Sequence, residues 1–570
     1  MATDTLGHVY LAGHAGYSRK NLWTGEEYFM HYDTDTIIPY AFESNKYKKR
    51  LFLARYDTSG NFQQLIQPEP DSISQNHAIS HPQDLLVDPD GTQHFVVRAA
   101  TNRNDPQRPP AILHGDTLSM GFHILKYQPD GTYLGSIPLP ILDTVPASTF
   151  IGRMARDHVR DLYYLAGWNS TTHYSIPEEL VIDGQLVESP MFAAQFDALG
   201  NMVWVREADS QNLAHASFGN SRPVIDTEGN VYMAGDMKSN GTSIGMPISF
   251  HTYTAQNTIR ATSIPVVIVL NPAGDVVWGA HGEAYSNLPL QKSAVTLAGK
   301  EVVYAASHGG IEWGGTVFPP VYNSGYDVFL ARLNKADGSM IAMDSIHSTY
   351  GFDEHSNAIV ADKRGNVFVG GEFESRIYVG NDTLIKYGAR TDFFVAKYGR
   401  DNCNCNLPEA KFSYSVANGG TVHFTYTGSP NYDSLEWSFG TGQVQTTTSG
   451  TTSHTYTENG EKRVCVTAYD DSCGYDTWCF IIDPFLINIE TPLDKEWFTY
   501  YPNPANEGFT LECKESLSYA LYDLTGREIR TGNAPVGATW ISLENAQKGM
   551  YLLRVVNSEG AIATVKIVKK

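Results

Sequence analysis

Ile225-Asp226-Thr227-Glu228-Gly229-Asn230-Val231-Tyr232-Met233-Ala234-Gly235 is the stretch whose reading decides the fold. It runs from an apolar stretch through Asp-x-x-Gly into Asn-Val-Tyr-x-Ala-Gly. An Asp at the first turn position accepts a hydrogen bond from its own backbone two residues on, and a Gly at the fourth takes the left-handed conformation that other residues resist. The flanks alternate apolar and polar with period two, as half-buried strands do. The stretch therefore predicts a tight antiparallel hairpin. A second copy runs from Val360-Ala361-Asp362 through Gly365 to Gly371, and a third from Asp4 to Gly13. Weaker copies lie at Asp88–Gly91, at Asp157–Gly167, and at Leu297–Ala306 with Gly299 as the turn glycine.

A second unit, Phe-x-Ala-Lys-Tyr-Asp-x-x-Gly, often followed by Trp, alternates with the first. Its copies are Phe52–Gly60, Phe122–Gly131, Phe192–Gly200 with Trp204, Val266–Gly274 with Trp278, Phe329–Gly338, and Phe393–Tyr398. Two hairpins per repeat give four strands, and six such sheets in series bury their faces best by packing around an axis, as a β-propeller. A stack of separate sandwich domains is the rival, but the repeat is short for one. Residues 1–400 resemble the SBBP-type propeller repeats of large exported bacterial proteins, and that resemblance implies architecture rather than activity.

The connections between hairpins, such as Gly13–Arg50 and Asp236–Pro265, are long enough to project from one face and carry binding. They are rich in Tyr, Asn, Ser, Thr and His, as in His251–Asn257, a composition that suits a glycan or protein ligand. Only Met1-Ala2-Thr3 precede the first Asp-x-x-Gly turn, and Tyr398 ends its repeat without a partner strand. The chain is therefore expected to continue upstream of Met1 with the missing strand and a signal peptide, since none is visible at Met1.

After Asn404-Cys405-Asn406-Leu407-Pro408 the repeat stops. Residues 409–485 predict about seven short strands, among them Lys411–Ser415, Thr421–Phe424, Leu435–Gly442, His454-Thr455-Tyr456 and Arg463–Ala468. A Trp on one strand and a Tyr ahead of a Cys on a later one suit an immunoglobulin-like sandwich. The segment resembles a PKD domain, with Trp437, Phe439, Gly440 and Gly442 in its Trp-Asp-Phe-Gly-Asp-Gly mark. Ser438 and Thr441 replace both aspartates, so no ion-related role is carried over. All six cysteines lie beyond residue 402, at 403, 405, 465, 473, 479 and 513. Their clustering fits local disulfides in an oxidising compartment. Cys465 and Cys479 suit a hairpin staple, leaving Cys473 for Cys403 or Cys405.

From Phe498 the text changes again. Tyr501-Pro502-Asn503-Pro504 opens it, Tyr522-Asp523-Leu524-Thr525-Gly526 makes a turn, Gly549-Met550-Tyr551-Leu552-Leu553-Arg554 makes a strand, and Lys566-Ile567-Val568-Lys569 closes the chain. These four marks, in this order, closely resemble the type A sorting domain of the type IX secretion system. The resemblance covers residues 497–570. It implies Sec export to the periplasm, passage through the type IX machinery, and a secreted or outer-membrane surface destination by way of the periplasm.

The overall expectation is an all-β chain: a six-bladed-type β-propeller followed by two immunoglobulin-like β-sandwich domains. Its 570 residues exceed what one core supports, and a formal charge of −21 argues against nucleic-acid and anionic-lipid partners. No apolar run is long enough for a membrane span. No catalytic, cofactor-binding or metal-ligating residue is assigned, because no nucleophile elbow, zinc helix, P-loop or calcium loop occurs. The function expected is a binding or adhesion protein with the propeller loops as its glycan- or protein-binding face. The alternative is a secreted hydrolase or lyase with its active site on the propeller face.

Overall fold

In the computed structural model the chain divides into two compact units, Met1–Asp401 and Asn402–Lys570. It describes residues 2–569 except 5, 16–29, 33–34, 38–49, 69–78, 100–110, 120, 144–151, 170–179, 210–212, 219–220, 240–246, 257–263, 285–290, 320–324, 349–351, 388–390, 400–405, 418–419, 486–496, 524–527, 545 and 558–561. Every regular element among the described residues is a β-strand.

The first unit holds six antiparallel sheets in chain order. The first joins Ala2–Thr3, Val9–Ala15, Arg50–Tyr56 and Phe62–Ile66; the second joins Ile79–Val87, Gln93–Ala99, Gly121–Tyr127 and Tyr133–Leu139. The third joins Gly152–Asp157, Leu162–Trp168, Met191–Phe196 and Met202–Glu207. In the fourth, Leu213–Ser217 and Val224–Ile225 share the first place before Val231–Ser239, Ile264–Leu270 and Val276–His281. The fifth joins Gln291–Ala298, Glu301–His308, Asp327–Asn334 and Met340–Ser348. The sixth has three strands, His355–Ala361, Val367–Phe373 and Asp392–Tyr398.

The turns close as their sequence predicts. Asp226 Oδ1 accepts from the amides of Glu228 (3.0 Å) and Asn230 (2.9 Å), and Gly229 sits at φ +86°. Asp57, Asp197 and Asp362 make the same pair of bonds two and four residues on. These aspartates are thus consumed by turn geometry.

Each sheet shares one apolar core with the next: first with second, second with third, third with fourth, fourth with fifth, and fifth with sixth. The first strands of successive sheets stand beside one another. Tight turns lock across the same gaps. Arg160 donates to Thr227 O (3.3 Å), the Trp204 indole to Pro272 O (3.1 Å) and the Trp278 indole to Lys335 O (3.0 Å).

The second-to-third-strand connections carry structure of their own. Each holds a short hairpin: Met30–Tyr32 with Asp35–Ile37, Ala111–Leu113 with Asp116–Leu118, Leu180–Ile182 with Gln185–Val187, Pro247–Phe250 with Tyr253–Gln256, Ile311–Trp313 with Thr316–Phe318, and Arg376–Val379 with Asp382–Ile385. Four of these pair back onto the preceding repeat, through Ile141–Asp143, the Ala208–Phe250 bridge, Glu283–Ala284, and the end of Met340–Ser348. His251–Gln256, read as an aromatic binding loop, belongs to this packing: Phe250 and Ala255 are core, and the Tyr253 hydroxyl hydrogen-bonds His281 Nδ1 at 2.6 Å. Asn257 lies outside the described residues.

In the second unit, the sheet of Phe412–Val416, Thr421–Tyr426 and Thr451–Thr455 shares a core with that of Val444–Thr447, Ser434–Ser438, Lys462–Asp470 and Gly474–Ile482. Trp437, with no exposed surface, packs edge-on against Phe412. A second pair of sheets follows: Phe498–Tyr501, Gly508–Cys513 and Gly537–Ser542 against Glu528–Ala534, Leu517–Asp523, Gly549–Val556 and Ile562–Lys569.

Candidate functional site

The four sorting-type motifs are far apart in sequence, and the last pair of sheets brings most of them together. Asn503 acts as a strand edge in miniature: its Nδ2 donates to Lys566 O at 2.7 Å and its Oδ1 accepts from the Val568 amide at 2.8 Å. The Ala505 amide donates to Val568 O at 2.7 Å, completing the clasp on the terminal strand. Pro502 and Pro504 flank Asn503 on the surface. Each removes a backbone donor, which leaves the asparagine side chain as the pairing group.

Lys569 turns its ammonium onto backbone oxygens, donating to Leu543 O and, at 2.7 Å, to Ala546 O. Tyr551 is 5% exposed and its hydroxyl donates to Gln547 O at 2.6 Å. Gly549 pairs with Lys569 and Tyr551 with Ile567. Asn503, Tyr551 and Lys569 therefore hold the fold of this segment, an assignment the sequence motif alone does not make.

Three other motif residues, Arg554, Lys566 and Tyr501, are exposed. Arg554 and Lys566 are exposed on neighbouring strands in which Leu552 pairs with Lys566 and Arg554 with Thr564. Tyr522, half-buried, continues the row opposite Leu552, and Asp523 pairs with Tyr551. Tyr501 is half exposed and donates its hydroxyl to Glu512 at 3.1 Å, which raises its pKa. Gly526 lies outside the described residues. The motif thus separates into residues that clasp the terminal strand and residues that face solvent, with Arg554 and Lys566 on one sheet and Tyr501 on the other.

Cys465 and Cys479 are cross-strand partners joined by a disulfide. Cys473 is also disulfide-bonded, and Cys513 is buried and free.

In the first unit, polar side chains gather where the first strands meet. Asp84, Arg153 and Arg222 each lie four residues before the turn aspartate of their repeat, at Asp88, Asp157 and Asp226. Asp84 is buried and bridges both arginines, with Arg153 at 3.6 Å, while its Oδ2 accepts from the Met154 amide at 2.9 Å. The equivalent register position in the fifth repeat is Ala294 and in the sixth Ala358, so among the described residues the ion cluster spans the second to fourth sheets. A buried chain from the Tyr163 hydroxyl through His94 to Asp88 ties the second and third sheets, at 2.9 and 3.1 Å. His355 Nδ1 meets Ser307 Oγ at 3.2 Å, but Ser307 has no exposed surface, so this Ser–His pair joins strands rather than presenting a nucleophile. Among the described residues no group of three or more His, Cys, Asp or Glu converges to hold a metal ion.

Residues 499–570 match the family of secretion system C-terminal sorting domains. No curated protein matches the chain. Among solved structures, quinohemoprotein alcohol dehydrogenase from Comamonas testosteroni is 10% identical, with 89% of this chain and 69% of that one covered and a TM-score of 0.25. The extracellular domain of a hybrid two component system from B. thetaiotaomicron is 10% identical over 100% and 97% of the two chains, with a TM-score of 0.17. Dimeric latent PorU from Porphyromonas gingivalis is 11% identical over 80% and 35%, with a TM-score of 0.13. The sorting domain implies export by the type IX machinery to the cell surface or beyond. No helix among the described residues is long and apolar enough to cross a membrane.

Proposed function

We propose that this is a secreted or cell-surface binding protein, delivered by its sorting domain, whose first unit is a six-bladed propeller with its ligand face built from the long connections. The observation that carries this reading is an asymmetry of ends. In an antiparallel meander, the first-to-second and third-to-fourth turns fall at one end of the sheet and all other connections at the opposite end. The first end consists of tight turns such as Asp57–Gly60 and Asp226–Gly229, bonded to themselves and to their neighbours. All length variation, with the six inserted hairpins, is at the other end. A rigid scaffold that gathers its variable connections on one face is the usual arrangement of a binding module. The ligand class is a glycan or an extracellular protein. Residues 409–485 serve as an immunoglobulin-like, PKD-type spacer, and 497–570 as a second such sandwich.

The experiment is fractionation of the native host. Deleting residues 497–570 leaves the protein in the periplasm with the remainder folded, whereas the paired change Arg554→Glu and Lys566→Glu blocks export while retaining a folded tail. Arrival of the truncated chain in the medium would overturn the delivery reading. Binding of the exported chain to host-surface glycans or proteins, measured on arrays, tests the ligand face. An array with no hits and a hydrolysed oligosaccharide would favour the hydrolase alternative.

A further inference from the structure

Three buried carboxylates of the first unit are answered by cationic side chains. Asp84 bridges Arg153 and Arg222, Asp157 binds Arg160 at 2.8 Å, and Asp226 has Lys335 at 3.8 Å. The joint between the fifth and sixth sheets departs from this pattern. Glu354 has no exposed surface, and neither of its carboxylate oxygens has a hydrogen-bond partner. The charges that reach it, from Asp327 and Asp353, are both negative. The Ser348 hydroxyl lies near enough to favour its charged form, yet is itself buried and outside hydrogen-bond geometry.

Three elements bring these oxygens together. Glu354 stands just before His355–Ala361, the first strand of the sixth sheet, and its amide donates to Tyr326 O at 2.8 Å. Tyr326 and Asp353 form a parallel bridge, which sets the next residues along, Asp327 and Glu354, beside each other. Asp327 opens the third strand of the fifth sheet, and its Oδ1 accepts from the Ser348 amide at 3.0 Å. Ser348 ends the fourth strand of that sheet. Among the described residues no histidine, cysteine or third carboxylate joins the pair as a ligand set. His308, the cross-strand partner of Asp327, packs its ring against Phe318 and Phe329 instead.

A carboxylate out of water is retained only if its charge is neutralised. A bridging water would satisfy hydrogen bonds and leave the charge in place. Two adjacent carboxylates and a hydroxyl, with no cationic side chain among them, make a doubly negative set of oxygen donors. Such a set matches one hard divalent cation and lacks the sulfur or imidazole that zinc and copper favour. Ca²⁺ accepts an irregular shell of six to eight oxygens, whereas Mg²⁺ demands near-ideal octahedral geometry.

We propose that Asp327, Ser348 and Glu354 form a calcium site at the joint between the fifth and sixth sheets. Glu354 offers both oxygens, Asp327 and Ser348 one each, and backbone carbonyls and water complete the shell. The ion ties the start of one strand, the end of the next and the entry to the sixth sheet. Extracellular sites of this kind have dissociation constants on the order of 10⁻⁴ to 10⁻³ M, which suits an exported protein. The inference rests on local packing and stands whether or not the six sheets close into a ring.

The test uses the full chain, stripped with EDTA, exchanged into chelator-free buffer at fixed ionic strength and titrated with CaCl₂. Calorimetry should show a Ca²⁺ site that is lost in Glu354→Gln and weakened at least about tenfold in Asp327→Asn. Asp433→Asn, which alters the acidic surface formed with Asp470 and Asp471 in the second unit, should leave that site unchanged. Ca²⁺ should raise the melting temperature of the first unit in the parent chain and not in Glu354→Gln, and Mg²⁺ at the same concentration should not reproduce the rise. No Ca²⁺ binding, binding retained in Glu354→Gln, or binding lost in Asp433→Asn would overturn the proposal. Should Glu354→Gln fail to fold, full affinity in Asp327→Asn overturns it and the tenfold loss upholds it.

Discussion

Glu354 has no exposed surface, and burial, with the charge of Asp327 adding to it, lifts its pKa from an ordinary 4.5 to about 8. Asp327, again chiefly through burial, rises to about 6. A carboxyl raised in the folded state holds a proton that the unfolded chain has released. Stability is therefore highest below the unfolded pKa and falls as pH rises through the window between the two values. Between about pH 5 and 8 the first unit should lose stability by up to ~1.4 kcal/mol per pH unit, and Glu354→Gln should flatten that slope. Urea unfolding at several pH values checks this, and equal slopes for both chains would refute it. Nothing in the sequence singled out Glu354, because its surroundings are assembled through the Tyr326–Asp353 bridge and its own amide bond to Tyr326 O at 2.8 Å, contacts between segments distant in the chain.

Sheets interlock through a recurring device in which a fourth-strand Trp lies over the next repeat's turn glycine. A Cβ at Gly274 would stand 2.8 Å from the Trp204 ring, and one at Gly338 would stand 2.6 Å from the Trp278 ring. Trp204→Ala should cost ~3–5 kcal/mol through the cavity it leaves. Trp204→Phe should cost less, having lost mainly the indole bond to Pro272 O, about 1 kcal/mol. Chemical denaturation of the two variants measures the difference, and similar losses for both would show that the hydrogen bond rather than the packing carries the contact. The Trp after two of these turns, Trp204 and Trp278, was legible in sequence, and Asp-x-x-Gly as a hairpin. The six inserted hairpins were not, because strands of three or four residues stay below any reliable periodicity, and four of them gain order by pairing with the preceding repeat.

At the scale of the molecule, the disulfide tests how independent the parts are. Cys465 and Cys479 are 14 residues apart and lie in the second unit only. Cys465→Ser should destabilise the region around residues 409–485 by ~2–4 kcal/mol and leave the first unit's unfolding transition unmoved. Calorimetry resolves the two, and a shift in both would mean that the units unfold together. The sequence by itself determined the all-β class, the series of hairpins and the sorting tail. Each of these is local: turn chemistry, period-two alternation and short motifs are written within about ten consecutive residues. Only tertiary structure decided which motif residues clasp the terminal strand and which face outward. It also decided that Asp84, Arg153 and Arg222 meet across three sheets. Those facts depend on which strands lie side by side, and side chains some 70 residues apart become neighbours only when sheets stack face to face to remove apolar surface from water.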